Sequence, residues 1–335
     1  MKEYFSYDDV LIKPLYSEVR SRSTVDVSTS LNSWIKLGIP IIASNMDTVC
    51  EYNMAKSMAE FGGLGVVHRN LPHATRIHNV RRLTELGLLS AVAVGVNEYD
   101  DAPFNRYLDE GVDVFVLDIA HGDSLHALKA VEGLRSIAER YGNETCIVGG
   151  NVATPDGVER MANAGAHSVK VGIGPGAACL TRINTGVGVP QLSCIMECAE
   201  RADFLGLSVI ADGGVKTPGD VAKAIAAGAD AVMLGSMLAG TDEAPGVVRT
   251  VRGQRVKSYR GMASGGAGSK YVEGAEGYVP YKGAAFEVVS AIINGLRSAI
   301  SYCGSYSISE MQSKVEFIKV SPLSLIENDA HGTIL

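Results

Sequence analysis

Residues 146–174 read CIVGGNVATPDGVERMANAGAHSVKVGIG, and their order decides the fold to expect. The run 146–152 (CIVGGNV) is almost continuously apolar, as a strand buried on both faces must be. Thr154 precedes Pro155, an N-cap followed by proline in the first turn of a helix over 155–164. Gly165 stands where that helix would close, and 168–174 (SVKVGIG) reads as the next buried strand. Two buried strands joined by one helix make a parallel βαβ unit.

The same unit recurs on both sides. Further strand-like runs are 40–44 (PIIAS), 64–68 (LGVVH), 89–95 (LSAVAVG), 114–120 (VFVLDIA), 207–214 (LSVIADGG) and 231–236 (AVMLGS). The stretch 218–227 (PGDVAKAIAA) repeats the Thr-Pro opening, and EFGG and AAGA repeat the glycine close. Strand and helix alternating eight times predict an α/β protein, a single (β/α)8 TIM-barrel domain over 1–335. A doubly wound sheet would favour GxGxxG after its first strand, and PIIASNMDTV has no such pattern.

Composition narrows the functional classes. With 46% hydrophobic and 20% charged residues over 335 positions, the chain can bury a large core and is too apolar for disorder. A net charge of −7 argues against a nucleic-acid partner, which needs a concentrated basic surface. No apolar run reaches the roughly 18 to 20 residues of a membrane span. The start, MKEYFSYDDV, lacks a basic-then-apolar signal, so a cytoplasmic protein is expected. The six cysteines are too dispersed for a disulfide framework, and the seven histidines have no zinc-site spacing. Buried small hydrophobes are the expectation for every cysteine except Cys179.

A barrel carries its site at the C-terminal ends of its strands, commonly with a phosphate site after the seventh and eighth. Here the seventh run ends in Asp212-Gly213-Gly214 and the eighth in Gly235-Ser236, glycines that let backbone N–H groups approach an anion. After the sixth run comes Gly174-Pro175-Gly176-Ala177-Ala178-Cys179-Leu180-Thr181-Arg182. A thiol in such a loop can be a nucleophile if a neighbour takes its proton. Thr181 could relay that proton, Arg182 could hold the loop, and the carbonyls of Gly174, Gly176 and Cys179 could ring a monovalent cation. A lyase or isomerase using Lys170 or Lys216 is a competing reading, and would need the lysine buried at a strand end. A nucleotide-binding protein without turnover is another.

The cysteine loop resembles that of the IMP dehydrogenase and GMP reductase family, GPGSxCTTR or close to it. The resemblance extends along nearly the whole chain. It takes in Tyr7-Asp8-Asp9-Val10-Leu11-Ile12, Ser44-Asn45-Met46-Asp47-Thr48-Val49 and Gly150-Asn151-Val152. It continues through the glycines of the seventh and eighth runs, Tyr259-Arg260-Gly261-Met262 and Val279-Pro280-Tyr281-Lys282-Gly283. The resemblance implies that Cys179 attacks C2 of a purine nucleotide, with Thr181 and Glu273 moving protons. It implies that Asp212, Gly213, Gly214, Gly235 and Ser236 hold ribose and phosphate. Gly261, Met262, Ala263, Lys270 and Gly274 would then line the base. A nicotinamide cofactor would lie across Asp118, Ile119, Ala120, Ile173 and Gly174, with Ser21, Arg22 and Arg69 at its adenosine end. Two arginines there would suit the 2′-phosphate of NADPH. The family pattern further implies K+ on the loop oxygens of Gly174, Gly176, Cys179 and Arg182. It also implies a homo-oligomer, a tetramer, in which Ser21 and Arg22 reach a neighbour's cofactor.

Within the family the features lean toward the reductase, which converts GMP to IMP. The dehydrogenase hydrolyses its adduct with a flap carrying an Arg-Tyr dyad, and the short segment 263–272 (ASGGAGSKYV) has no such pair. Asp118-Ile119-Ala120 and Asn45 resemble the reductase pattern, and no nucleotide-sensing insert interrupts the barrel. His121, Gly62-Gly63-Leu64-Gly65, 185–190 (TGVGVP), Tyr259-Arg260-Gly261-Met262 and Leu180 resemble dehydrogenases instead.

Overall fold

A computed structural model describes residues 1–98, 103–142, 144–267 and 273–324. All eight expected strands form. They are β1 (Ile41–Ala43), β2 (Leu64–Val67), β3 (Ala91–Val94), β4 (Val114–Leu117), β5 (Cys146–Val152), β6 (Ser168–Val171), β7 (Ser208–Asp212) and β8 (Ala231–Leu234). They close into one barrel in sequence order, β8 pairing with β1, and every pair is parallel.

Helices alternate with these strands, and local chemistry sets their ends. Thr154 and Thr217 cap the helices Pro155–Asn163 and Pro218–Ala226, each hydroxyl accepting an N–H from the first turn. After Pro218–Ala226 the chain turns at Gly228 with φ +107°, a conformation that glycine adopts without strain. The eighth large helix, Ala285–Tyr302, comes only after β8, a short helix Ser236–Ala239 and a three-stranded antiparallel sheet. That sheet joins Arg249–Val251, Gln254–Arg260 and Glu276–Pro280, and it stands over the barrel mouth.

The other end of the barrel is closed by a hairpin that hydrophobic periodicity did not reveal. Thr29–Ser30 pairs with Lys36–Leu37, and Leu31, Ile35 and Leu37 pack among the inward residues Ile42, Leu64, Val66, Val114, Val148 and Ile210. Ser168 donates to the Leu31 carbonyl at 2.6 Å, and Ser208 donates to the Ser30 carbonyl at 3.0 Å. With its lower end plugged, the barrel is open to ligand at the mouth. No helix among the described residues is long and apolar enough to cross a membrane.

Gly65 shows how tightly the first helix is laid on the strands. A Cβ there would lie 2.4 Å from the Cα of Ala55, inside the helix Tyr52–Glu60. Gly65→Ala is therefore expected to destabilise the fold by about 2 to 3 kcal/mol through overpacking against backbone. A melting midpoint about 5 °C lower should follow. An unchanged thermal melt would show that the helix can move away at no cost.

Candidate active site

The loop between β6 and the helix Gln191–Leu205 carries the thiol. Gly174 has φ +91°, and a Cβ there would meet the Arg182 side chain at 2.6 Å, so Arg182 packs flat on the glycine backbone. Arg182 also donates to the Val189 carbonyl, which pins the far end of the loop. Cys179 follows, half-buried, its N–H bonded to the Gly176 carbonyl at 3.0 Å.

Cys179 Sγ donates to Thr181 Oγ1 at 3.2 Å, and Thr181 Oγ1 donates to Glu273 Oε2 at 2.7 Å. Residues 92 positions apart in sequence thus form one line of thiol, hydroxyl and carboxylate. Backbone contacts fix that line. Leu180 N–H donates to Glu273 O at 2.7 Å, Ala275 N–H donates to Ala178 O at 2.8 Å, and Glu273 N–H donates to Ala263 O at 3.0 Å. Gly261 and Gly274 make the approach possible, since a Cβ on Gly261 would lie 3.0 Å from Gly274 Cα. The arrangement can carry a proton from the sulfur to the carboxylate and back.

A cleft of about 670 Å³ runs across the barrel mouth past this line. At one end lie Asp212, Gly213, Gly214, Gly235 and Ser236. Gly213 and Gly214 have φ of +99° and +83°, and the turn abuts the cysteine loop: a Cβ on Gly213 would lie 3.0 Å from Gly176 N. Tyr259 completes this end, its hydroxyl 3.0 Å from where a Gly235 Cβ would stand. Burial, with the Asp212 charge adding, pushes the Tyr259 phenol up to about 12, so at neutral pH it is a hydrogen-bond donor. At the other end lie Arg69, Gly95, Glu98, Asp118, Ile119 and Ala120. Arg69 Nε donates to Asp118 Oδ2 at 2.8 Å. Between the two ends, Ile173, Gly174, Gly176, Met262, Ala263 and Gly274 line the walls.

Most of the expected site residues therefore meet in one cleft. Ser21 and Arg22 do not join them within this chain. They sit on an exposed turn, where Arg22 donates to Tyr302 at 2.9 Å. Lys270 lies outside the described residues. Lys170 is buried on β6 with its ammonium bonded to Asn151, whereas Lys216 is exposed and paired with Asp8. Among the described residues no cluster of His, Cys, Asp or Glu could hold a metal ion.

Sequence reasoning did not assign Tyr259 or Asn151 to the cleft, although both line it; Lys170, which lines it too, entered only as the nucleophile of the competing lyase or isomerase reading. It also left Asp47 and Arg260 without a role. Arg260 grips Asp47 through Nε at 3.1 Å and Nη2 at 2.6 Å, which ties the loop after β1 to the sheet above the mouth. A polar motif following a strand end was the available signal; the partner lay more than two hundred residues away.

A family model described as the IMP dehydrogenase / GMP reductase domain matches residues 4–331. The chain is 33% identical to the GMP reductase of Leishmania donovani, over 99% of this chain and 97% of that protein. It is 36% identical to the inosine-5′-monophosphate dehydrogenase of Cryptosporidium parvum, over 97% and 94%. To the enzyme of that name from Nitrosopumilus maritimus it is 32% identical, over 100% and 99%. The Leishmania and Nitrosopumilus alignments run over 480 and 476 positions against 335 residues here, so both relatives carry a long segment that this chain lacks. Relatives of either name have that extra length, and its absence does not sort the two activities.

Proposed function

The chain belongs to the IMP dehydrogenase / GMP reductase family, oxidoreductases of purine nucleotides that use a nicotinamide cofactor, and from that premise we propose that it reduces GMP to IMP and ammonia with NADPH. The observation that carries this reading is the line Cys179–Thr181–Glu273, set beside a segment 263–272 with no arginine. Both activities join the purine through C2 to the cysteine sulfur, and they differ in what the protein must do around that bond. Hydrolysis needs a base beside a water. Deamination needs a proton delivered to the 2-amino group, and a hydroxyl backed by a carboxylate can deliver one.

Thr181 takes the Cys179 proton while passing its own to Glu273. The thiolate bonds to C2, the C2–N bond breaks, and the relay returns the proton to the departing ammonia. When bound, the reduced nicotinamide supplies a hydride to C2. The C2–S bond then breaks with its electron pair returning to sulfur, IMP leaves, and a proton taken from solvent restores the Cys179 thiol. Backbone N–H groups of Gly213, Gly214, Gly235 and Ser236 and the Tyr259 hydroxyl would hold the phosphate, and Asp212 the ribose. Gly261, Met262, Ala263 and Gly274 would border the base.

With the phosphate at that end, the stretch of cleft along Arg69, Asp118, Ile119, Ala120, Ile173 and Gly174 is left for the cofactor. Its open walls and single arginine fit the polar end of a dinucleotide. A K+ ion fits the loop oxygens in part. The Gly176 and Arg182 carbonyls already accept N–H groups from Cys179 and Gly186, and each retains one lone pair. We read the protein as a homotetramer of the cytoplasm whose Ser21 and Arg22 reach a neighbour's cleft. Oxidation of IMP with NAD is the second reading, favoured by His121 and Leu180.

Purified protein with GMP and NADPH, against IMP and NAD, followed at 340 nm, tests the choice. Cofactor selection gives a further expectation. A charge-assisted contact is worth roughly 1.5 to 3 kcal/mol, and Asp118 already meets part of the Arg69 charge, so NADPH should be preferred over NADH by about tenfold. Arg69→Ala should narrow that gap, and Arg22→Ala should narrow it further only if a neighbour supplies Arg22. Equal kcat/KM for the two cofactors in the unaltered protein would count decisively against this placement.

A further inference from the structure

Three neighbouring strands each send one polar residue to the floor of the cleft. Lys170 on β6 is only 2% exposed, and its ammonium donates to Asn151 Oδ1. An ammonium has donors only, so Asn151 must turn its oxygen to the lysine and its nitrogen the other way. That nitrogen donates to Asp212 Oδ2 at 2.8 Å and to the Gly172 carbonyl at 2.9 Å, which uses both of its hydrogens. A register shift in β5 between Gly150 and Val152 takes Asn151 out of the regular ladder. Gly150 is required there, because a Cβ would lie 2.6 Å from the Lys170 carbonyl oxygen. Gln191 holds the same region from outside, donating to the Asp212 carbonyl at 3.2 Å.

We propose that Lys170 and Asn151 are positioning residues that hold the Asp212 carboxylate as a fixed acceptor for sugar hydroxyls, and so make the site select ribonucleotides over deoxyribonucleotides. The proposal rests on the reading above in which Asp212 meets the ribose. A buried ammonium needs a negative charge nearby, and Asp212 supplies it one amide away. With Oδ2 engaged by Asn151, Oδ1 is left for the ligand, and an ionised carboxylate only accepts hydrogen bonds. A ribose hydroxyl can donate to it; a deoxy position cannot, and leaves the carboxylate unpaired.

Calorimetric binding of GMP, 2′-deoxy-GMP and 3′-deoxy-GMP tests this on the unaltered protein, Lys170→Met and Asn151→Asp. The unaltered protein should prefer GMP over at least one deoxy analogue by about tenfold or more. Lys170→Met should reduce that ratio below about threefold. Asn151→Asp keeps a partner for the buried lysine, which protects folding, but removes the donor to Asp212, and its ratio should collapse in the same way. A purely structural role would weaken all three ligands alike and leave the ratio unchanged. A variant that folds and keeps the full ratio overturns the proposal. An unaltered protein with no preference for GMP over either analogue would instead overturn the reading of Asp212 itself.

Discussion

Cys179→Ser is expected to lower GMP turnover by at least about 10³-fold, roughly 4 kcal/mol in barrier, with nucleotide binding retained. A serine hydroxyl fits the same space and could still donate to Thr181, so the relay geometry should survive. What disappears is the nucleophile. An alcohol is far less acidic than a thiol, and the path to Glu273 cannot make up the difference. The phosphate and ribose contacts proposed at Gly213, Gly214, Gly235, Ser236, Tyr259 and Asp212 do not involve the sulfur, so the Kd for GMP should change little.

Chemical labelling offers an independent check, because the other five thiols are buried. Burial pushes the Cys146 thiol up to about 12 and raises those of Cys50 and Cys303. The Cys198 thiol is raised by its hydrogen bond with Cys194 and by burial. One alkylation per chain, blocked by GMP, should therefore fall on Cys179. A serine variant keeping more than a few per cent of the rate, measured at 340 nm, would remove Cys179 from this role.

The fold was legible because each barrel strand is a largely apolar run and helices between them carry punctuation nearby. Thr154-Pro155 and Thr217-Pro218 are local signals, and the structure uses both as caps. The bottom hairpin was not legible, since its strands are two residues each and Leu31 and Ile35 acquire meaning only inside a closed barrel. The site divided along the same line. Glycines at 174, 213 and 214 announce close backbone approach, and each has positive φ. Tyr259 and Asn151 gave no signal by spacing, because their partners stand on other elements, far away in sequence for Tyr259 and on neighbouring strands for Asn151. Lys170 entered the reading as a candidate nucleophile, and its actual partner, an amide on the adjacent strand, can be found only in three dimensions.

The direction of chemistry turns on Glu273. Its carboxylate accepts the Thr181 hydroxyl at 2.7 Å, and its backbone is bonded at both ends, N–H to Ala263 and carbonyl to Leu180. Glu273→Gln keeps an acceptor oxygen at the same place, so the Thr181 contact and the loop should persist while the ability to hold a proton is lost. Proton transfer by a positioned group is worth about 10² to 10⁴-fold, and ammonia release from GMP should slow by that amount. The competing hydrolysis needs a base near C2, and the ionisable candidates between 263 and 272 are Lys270 and Tyr271. A lysine near its ordinary pKa of about 10.4 and a tyrosine near about 10 are both mostly protonated at neutral pH. IMP oxidation to XMP with NAD should therefore run at least about a hundredfold slower than GMP reduction, a difference of roughly 2.7 kcal/mol in barrier. Ammonia, IMP and XMP measured in parallel decide it. Brisk XMP formation with no ammonia from GMP would mean that the Thr181–Glu273 line, or a group from elsewhere, serves as the base for water, and that the protein runs the family's oxidative reaction.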